Sequence, residues 1–129
     1  MERTLKIEAP PAVAAGSEFA VVISATTDAA AGERVGFLQV DVSVDDGHTW
    51  APQCYLDNDG VSVRREFRLT AGNAGTVIRV RARVAFRDGL AGDVDYTGAA
   101  IRWHDNWAAW DEPPARIVVI SVRPSERSS

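Results

Sequence analysis

The sequence predicts an all-β protein folded as a sandwich of about seven strands. Short segments in which apolar and polar residues alternate recur along the chain, and this period-two pattern is typical of half-buried strands. Gly, Pro, Asp and Asn separate these segments, and no long segment has the periodicity of a helix. Several short strands at regular spacing, with turn signals between them, indicate a β-sandwich.

The predicted strands are placed by this alternation and by the turns between them. Pro10-Pro11 ends the first strand, because proline cannot donate a hydrogen bond to a sheet. Turns are expected at 57–60 and 72–75, where Gly, Asp and Asn cluster. The last strand is nearly all apolar, as expected for a strand that is covered on both faces or lies near another element. The segments in order are 4–8, 18–26, 35–43, a short irregular strand marked by Trp50, Cys54 and Leu56, then 61–69, 78–86 and 117–122.

The alternation at 38–44 leads into a predicted hairpin. Asp46-Gly47 supplies the turn, because Gly tolerates positive φ and Asp tolerates it better than most residues. A one-residue slip would exchange the two faces of the strand, so burial of the apolar face fixes the register. The side chains expected to be buried are Leu38, Val40, Val42, Val44 and, at the start of the next strand, Trp50.

The residues from Ser43 to Trp50 read S-x-D-x-G-x-T-W. This stretch resembles an Asp-box, a motif in which the Asp side chain ties the backbone of a turn and the Trp packs beneath it. The resemblance implies a structural role for Asp45 and no activity. The motif occurs once and no internal repeat is visible, so a propeller built from repeated blades is excluded.

The order of strands resembles an immunoglobulin-like β-sandwich of the early-set type. Val40 to Trp50 is similar to the Val-x-Val-Ser-x-Asp-x-Gly-x-x-Trp strand of the dimerisation domain of sulfite-oxidase-like enzymes, and Arg79 to Arg83 loosely matches its Arg-x-Arg-Ala strand. Trp103-His104-Asp105-Asn106 partly resembles the Trp-Asp-Asn-Asn element of starch- and glycogen-binding modules. The first resemblance implies contact between subunits, and the second implies carbohydrate binding.

A Trp-rich insert precedes the last strand, between Phe86 and Arg116, and holds three of the four Trp residues. A compact domain seldom carries so long an irregular connection unless it is functional or poorly ordered. The three indoles could complete the core, stack on sugar rings or bury against a protein partner, because Trp is common in all three settings. The candidate ligand-binding residues are Trp103, Asp105, Asn106, Trp107 and Trp110, of which Asp105 and Asn106 would bind hydroxyl groups.

The three indoles are not expected to share one environment. Trp103 is expected to be buried, because it follows 99–101, which has the pattern of a short extra strand against the sheet. At least one of Trp107 and Trp110 is expected to be exposed, because the Ala residues between them provide little bulk to pack over an indole.

Length and charge limit the classes of function. A chain of 129 residues is most simply one domain, and we assign residues 1–123 to the sandwich and 124–129 to a flexible tail. The net charge is −4, from 14 basic and 18 acidic residues, which argues against binding of nucleic acid or of anionic membrane. The lone Cys54 excludes an internal disulfide. Without a signal peptide or a membrane span, the expected location is the cytoplasm; the oligomeric state is not indicated.

No metal or cofactor site is expected. The acidic pairs Asp57/Asp59 and Asp93/Asp95 fit Asx turns at hairpin tips, because neither continues into a calcium-binding loop with a distal Glu. Cys54 lies among strand-like neighbours and is expected to be an inert, half-buried thiol.

Three arginines alternate with apolar residues on the strand at 78–86. Arg79, Arg81 and Arg83 are expected to face away from the core and to form a solvated ladder of ion pairs with Asp41 or Asp45 on the neighbouring strand. The net negative charge of the chain favours this interpretation over a nucleic-acid-binding stripe.

The sequence therefore predicts a non-enzymatic binding module that recognises a carbohydrate through the Trp-rich insert. The alternative is a protein–protein interaction or dimerisation domain. An enzyme is the least favoured class, because no nucleophile or acid–base pair can be nominated from the residues.

Overall fold

The described strands lie in two sheets that enclose a common core. The structure is a computed structural model, and it describes residues 2–101 and 115–125. These residues form a 3-10 turn at Ala30–Gly32 and nine strands, namely β1 (Arg3–Glu8), β2 (Ala12–Ala14), β3 (Glu18–Thr27), β4 (Arg34–Ser43), β5 (Ala51–Gly60), β6 (Ser62–Thr70), β7 (Val77–Gly89), β8 (Gly92–Asp95) and β9 (Arg116–Arg123).

The smaller sheet has the order β1-β3-β6, and the larger has the order β2-β9-β7-β4-β5. β8 pairs with the C-terminal half of β7, on the edge that β9 occupies further along. Neighbouring strands are antiparallel except β2 and β9, which are parallel. The all-β fold with two sheets confirms the predicted class. Among residues 2–101 and 115–125, no helix is long and apolar enough to cross a membrane.

The core lies between the sheets and is built by alternate residues of the strands. Leu38 and Val40 of β4 are fully buried, and Val42 is 8% exposed, as the alternation predicts. They face β3 residues such as Ile23 across the core. Burial of each such side chain contributes roughly 1.5–3 kcal/mol to folding. The buried apolar residues of the alternating strands are therefore the main source of the stability of the fold.

The hairpin after β4 follows the prediction only in part. The chain reverses at Asp46 and Gly47, whose φ angles are 61° and 89°. Val44, however, is 61% exposed, because β4 ends at Ser43 and the following residue already belongs to the turn. Trp50 is only partly buried, because it precedes β5 and lies on the surface of the larger sheet.

Asp45 organises this turn through its carboxylate. It accepts hydrogen bonds from the Thr49 backbone N–H at 2.8 Å, from the Thr49 hydroxyl at 2.6 Å and from the Ser43 hydroxyl at 2.7 Å. The Ser43 oxygen in turn accepts the Gly47 N–H at 2.8 Å. The Thr49 donors, followed by Ser43, hold the pKa of the Asp45 carboxyl well below its ordinary value.

The region from 50 to 60 is more regular than the sequence suggests. β5 is a ten-residue strand in place of a short irregular one, and 57–60 belongs to it and not to a turn. Exposure alternates along β5, but Asn58 and Gly60 take less exposed positions and the aromatic Tyr55 an exposed one, which is why the apolar pattern is hard to see. Val61 alone separates β5 from β6 of the opposite sheet.

Two short strands account for the difference between about seven predicted strands and nine described ones. β2 has three residues and β8 has four, too few for a visible alternation. β7 continues to Gly89 and turns back into β8, so the first part of the segment predicted to be irregular is a hairpin. The turn at 72–75 is confirmed.

A buried carboxylate that the sequence analysis did not identify joins several of these strands at one end of the sandwich. Glu33 is fully buried. It accepts Arg3 Nε on Oε1 at 2.9 Å and Arg3 Nη2 on Oε2 at 2.7 Å, and the Thr27 hydroxyl donates to Oε1 at 2.7 Å. A Cβ at Gly89 would lie 2.9 Å from that of Glu33, so Gly is needed there for space.

Replacement of Glu33 by Ala is expected to lower the free energy of unfolding by about 3–5 kcal/mol, because it leaves the Arg3 guanidinium largely buried without its carboxylate. Urea denaturation measures the change. The control is Glu18→Ala, which removes an exposed partner of Arg68 and should leave the midpoint nearly unchanged. Equal midpoints for Glu33→Ala and the wild type would contradict the assigned role.

Asp45→Asn is expected to destabilise the protein at neutral pH. Because the folded-state pKa lies below the ordinary 3.8, the ionised carboxylate contributes stability above that pH and loses it as the pH falls further. The difference in unfolding free energy between wild type and variant should therefore begin to shrink below pH 3.8. Thermal unfolding over a pH series checks this, and a difference that stays constant in acid would contradict it.

Candidate binding surface

The five residues predicted to bind a ligand, Trp103, Asp105, Asn106, Trp107 and Trp110, lie outside the described residues, and so does the expected burial of Trp103. Both statements remain predictions. The structure does describe Ile101 and Ala115, the residues on either side of the part of the insert that holds the three Trp residues. Both residues have defined contacts.

Ile101 lies on the outer face of the larger sheet, which is the face turned away from the smaller sheet. It is 8% exposed and packs against Phe37 and Ala85 in a small second core. Its N–H donates to the Asp93 carbonyl at 2.9 Å. The short strand expected at 99–101 is reduced to one bridge, between Ala100 and Val94.

Ala115 is held on the other side of the insert. Its carbonyl accepts the Tyr96 hydroxyl at 3.2 Å. The Arg116 guanidinium lies 5.4 Å from the centre of the Tyr96 ring, within the range of a cation–π contact. Residues in and directly after β8 therefore fix both flanks of the insert.

Arg79, Arg81 and Arg83 of β7 lie on this outer face, as predicted. Arg81 contacts Asp41 at 3.1 Å on the neighbouring strand, which confirms the expected ion pair. Arg79 pairs with Asp46 at 2.8 Å instead of with Asp45, whose carboxylate is used by its own turn. The arginines therefore belong to a structural ladder.

The ladder is less solvated than predicted. Arg83 is 2% exposed and Asp41 is 6% exposed. Arg83 Nε donates to the Gln39 side-chain oxygen at 2.9 Å, and burial lowers the pKa of Arg83 to about 10. Arg81 lies 3.9 Å from the centre of the Trp50 ring, which covers the ladder from one side.

β9 presents an open apolar surface next to the ladder. The sequence predicts a strand that is covered on both faces or lies near another element. Cover on both faces is not found, because Ile117 is 53% exposed and Val119 is 46% exposed, whereas Ile120 is fully buried. The difference arises because Ile117 and Val119 lie beside Arg81 and Arg79 on the outer face, which the smaller sheet does not cover. The near-continuous apolar pattern therefore conceals one exposed face.

The backbone of β9 is open at the same place. Val122 N–H donates toward β7, to Thr76, whereas Ser121 N–H donates the other way, to Pro11. Because direction alternates along an antiparallel strand, the N–H and C=O groups of Ile117 and Val119 also point away from β7. β2 pairs only with residues from Ser121 to Arg123, and no strand in the described part of the chain pairs with this stretch.

A groove of about 580 Å³ runs along this edge between the two sheets. Its floor includes buried Leu5 of β1 and partly buried Val118 of β9. Lys6 and Glu8 of β1 and Arg116 of β9 supply its charged groups. The residues around it are Leu5, Lys6, Ile7, Glu8, Tyr96, Ala115, Arg116, Ile117 and Val118.

The acidic residues considered as metal ligands form a turn and an ion pair, and Cys54 is a partly buried thiol. Asp95 accepts hydrogen bonds from the backbone N–H groups of Thr97 at 2.7 Å and Ala99 at 3.2 Å, the pattern of an Asx turn. Asp59 pairs with Arg34 at 2.6 Å. Within the described ranges, no group of three or more His, Cys, Asp or Glu residues is placed to hold a metal ion. Burial raises the pKa of the Cys54 thiol.

Comparisons with known proteins show the fold alone. No protein-family model matches the chain, and no curated protein sequence matches it. Two structures of superoxide reductase (neelaredoxin) from Ignicoccus hospitalis are similar, with TM-scores of 0.55 and 0.52 at 17% and 14% identity, over 95% and 92% of this chain and 82% and 80% of theirs. A CARDB domain from Pyrococcus furiosus, in complex with di-metal ions, has a TM-score of 0.51 at 15% identity over 96% of this chain and 94% of its own.

Polar substitutions should distinguish the two faces of β9. Ile117→Ser and Val119→Ser are expected to change the free energy of unfolding by about 0.5 kcal/mol or less, because both side chains are already half exposed. Ile120→Ala, on the same strand, should cost about 2–5 kcal/mol, because Ile120 is fully buried. Urea unfolding of the three variants checks this; comparable losses would mean that both faces of β9 are covered.

Proposed function

We propose that the chain is a non-enzymatic binding domain that holds an extended segment of a partner protein at the open edge of β9. One observation carries the proposal. At Ile117 and Val119, half-exposed apolar side chains coincide with backbone N–H and C=O groups that point away from β7, toward the open edge of β9. An unpaired strand edge is a template for another strand, and an apolar edge is costly to leave in water.

The geometry favours addition of a strand to the sheet. A partner strand beside β9 would form hydrogen bonds with Ile117 and Val119, each contributing about 0.5–1.5 kcal/mol net. Alternate side chains of that strand would lie next to these residues on the outer face. The others would enter the groove over Leu5 and Val118. The preferred partner segment is therefore apolar on both faces over a few residues.

The other long edge of the larger sheet is protected against such pairing. β5 carries Pro52, Asp57 and Asp59, and its pairing with β4 is interrupted by register shifts. Proline, charged side chains and bulges are the usual means by which proteins blunt an edge strand. Ile117 to Val119 has none of them, which supports β9 as the binding edge.

The strand order also supports an immunoglobulin-like assignment. The orders β1-β3-β6 and β2-β9-β7-β4-β5 correspond to strands A, B, E and A′, G, F, C, C′ of such a sandwich, with β8 as an addition. The hydrogen bonds of Asp45 support the Asp-box resemblance in the same way. Superoxide reductase activity, suggested by the name of one structural neighbour, is not part of the proposed function, because a likeness at 17% identity concerns the fold alone.

Carbohydrate binding by the Trp-rich insert is the second candidate function. It rests on the clustering of Trp103, Trp107 and Trp110 with Asp105 and Asn106 in one segment, whose flanks are fixed near β8. Indole faces stack on the apolar faces of sugars, and carboxylate and amide groups bind hydroxyls. Titration with glycogen, starch and cellulose tests it, and a lack of binding to all three would refute it.

The strand-addition proposal is tested with short peptides that carry a few consecutive Val and Ile residues, and are therefore apolar on both faces, added to the isotopically labelled full chain. Binding should slow hydrogen exchange at the Ile117 and Val119 amides. Val119→Pro should abolish binding without loss of a β7–β9 hydrogen bond, because the Val119 N–H points away from β7. Val119→Thr, which keeps the N–H, should retain binding. Binding that survives Val119→Pro would refute the proposal.

A further inference from the structure

The groove beside β9 is lined by charged groups as well as apolar ones. Among the described residues that line it, Lys6 and Arg116 are cations and Glu8 is the one carboxylate. The groove is therefore a positive site on a chain whose net charge is −4. Charge complementarity then favours a partner segment that is negatively charged where it enters the groove.

Arg116 stands on the same face of β9 as the floor of the groove. It pairs with Ala82 of β7, which is fully buried between the sheets, and residues directly opposite each other share a face. Val118, two residues further along β9, packs on the same core. Arg116 itself is exposed, so its side chain lines the groove while remaining open to solvent.

An aromatic ring positions the Arg116 guanidinium. The guanidinium lies 5.4 Å from the centre of the Tyr96 ring, and the Tyr96 hydroxyl donates to the Ala115 carbonyl at 3.2 Å. The ring is thus anchored on the residue that precedes Arg116. A guanidinium over an aromatic face keeps the N–H donors in its own plane available, and these donors match a carboxylate in a bidentate pair.

Arg116 differs in its partners from the arginines of the ladder on β7. Arg79 pairs with Asp46 and Arg81 with Asp41. Within residues 2–101 and 115–125, in contrast, no carboxylate forms an ion pair with Arg116. The ladder arginines are thus used by the fold, whereas the groove arginine is available to a ligand.

We propose that the partner segment is acidic, with an Asp or Glu beside its apolar residues whose carboxylate pairs with Arg116. The inference rests on the proposed strand addition, which brings alternate side chains of the partner into the groove. Because Arg116 lies two positions before Val118 on the same face, the acidic residue belongs two positions from the partner side chain that packs over Val118.

The test compares three peptides with the same core of consecutive Val and Ile residues, flanked at both ends by Glu, by Gln or by Lys. Acetylated and amidated termini remove the terminal charges. Flanks at both ends make the result independent of whether the strand adds parallel or antiparallel to β9. Titration of the labelled full chain measures affinity, and slowed hydrogen exchange at the Ile117 and Val119 amides reports strand addition.

The Glu peptide should bind about fivefold more tightly than the Gln peptide at low ionic strength, and added salt should reduce this preference. The Lys peptide should bind more weakly than either. Arg116→Gln should bring the affinities for the Glu and Gln peptides close together, whereas Arg116→Lys, which keeps the charge, should retain part of the preference.

Arg123→Gln is the matched control. It removes the same charge from the exposed last residue of the same strand, roughly 20 Å from Arg116 and outside the residues that line the groove. The preference for the Glu peptide should be unchanged in this variant.

The outcomes separate this inference from the proposed function. Equal affinities for the Glu and Gln peptides, together with slowed exchange at both amides, would overturn the acidic preference and leave strand addition intact. If no peptide slows exchange at these amides, both proposals fail. A preference that survives Arg116→Gln, or that Arg123→Gln removes, would also overturn the inference, because the carboxylate would then be recognised elsewhere.

Discussion

The buried carboxylate of Glu33 is the constraint on which one end of the structure depends. An ionised carboxylate inside a protein costs several kcal/mol unless charged or polar donors surround it. Here Arg3 and Thr27 provide those donors. Because the donors lie on β1 and β3, and Gly89 of β7 must leave room for the carboxylate, one side chain fixes the relative positions of both sheets. The same contacts hold the neighbouring loops at this end of the sandwich in position.

The outer face of the larger sheet, in contrast, is covered only in part. The arginine ladder there is satisfied by partners on neighbouring strands, and Trp50 covers part of it. At β9, half-exposed Ile117 and Val119 lie at an edge with which no strand of residues 2–101 and 115–125 pairs. The fold thus combines a closed end with an open side. This combination suits the proposed binding domain, since a rigid scaffold makes an exposed surface specific.

Alternation in the sequence predicts the strands that pack regularly. β3, β4 and β7 follow it, and so does the pairing of Arg81 with Asp41. β5 could not be read in this way, because Asn58 and Gly60 take less exposed positions and Tyr55 an exposed one. Glu33 lies in the connection between β3 and β4, where nothing in the local pattern distinguishes a buried acid from a solvated one. The open face of β9 was missed because Ile117 and Val119 are as apolar as the buried residues beside them, and composition alone cannot show which face is covered.

Native-state hydrogen exchange of the free protein tests the open edge of β9 most directly. The amides of Val118 and Ile120 point toward β7 and should exchange only through opening that approaches global unfolding. The amides of Ile117 and Val119, on the same strand, should exchange orders of magnitude faster, because they face the open edge. Equal protection of all four amides would mean that the edge is already paired, and would contradict the account.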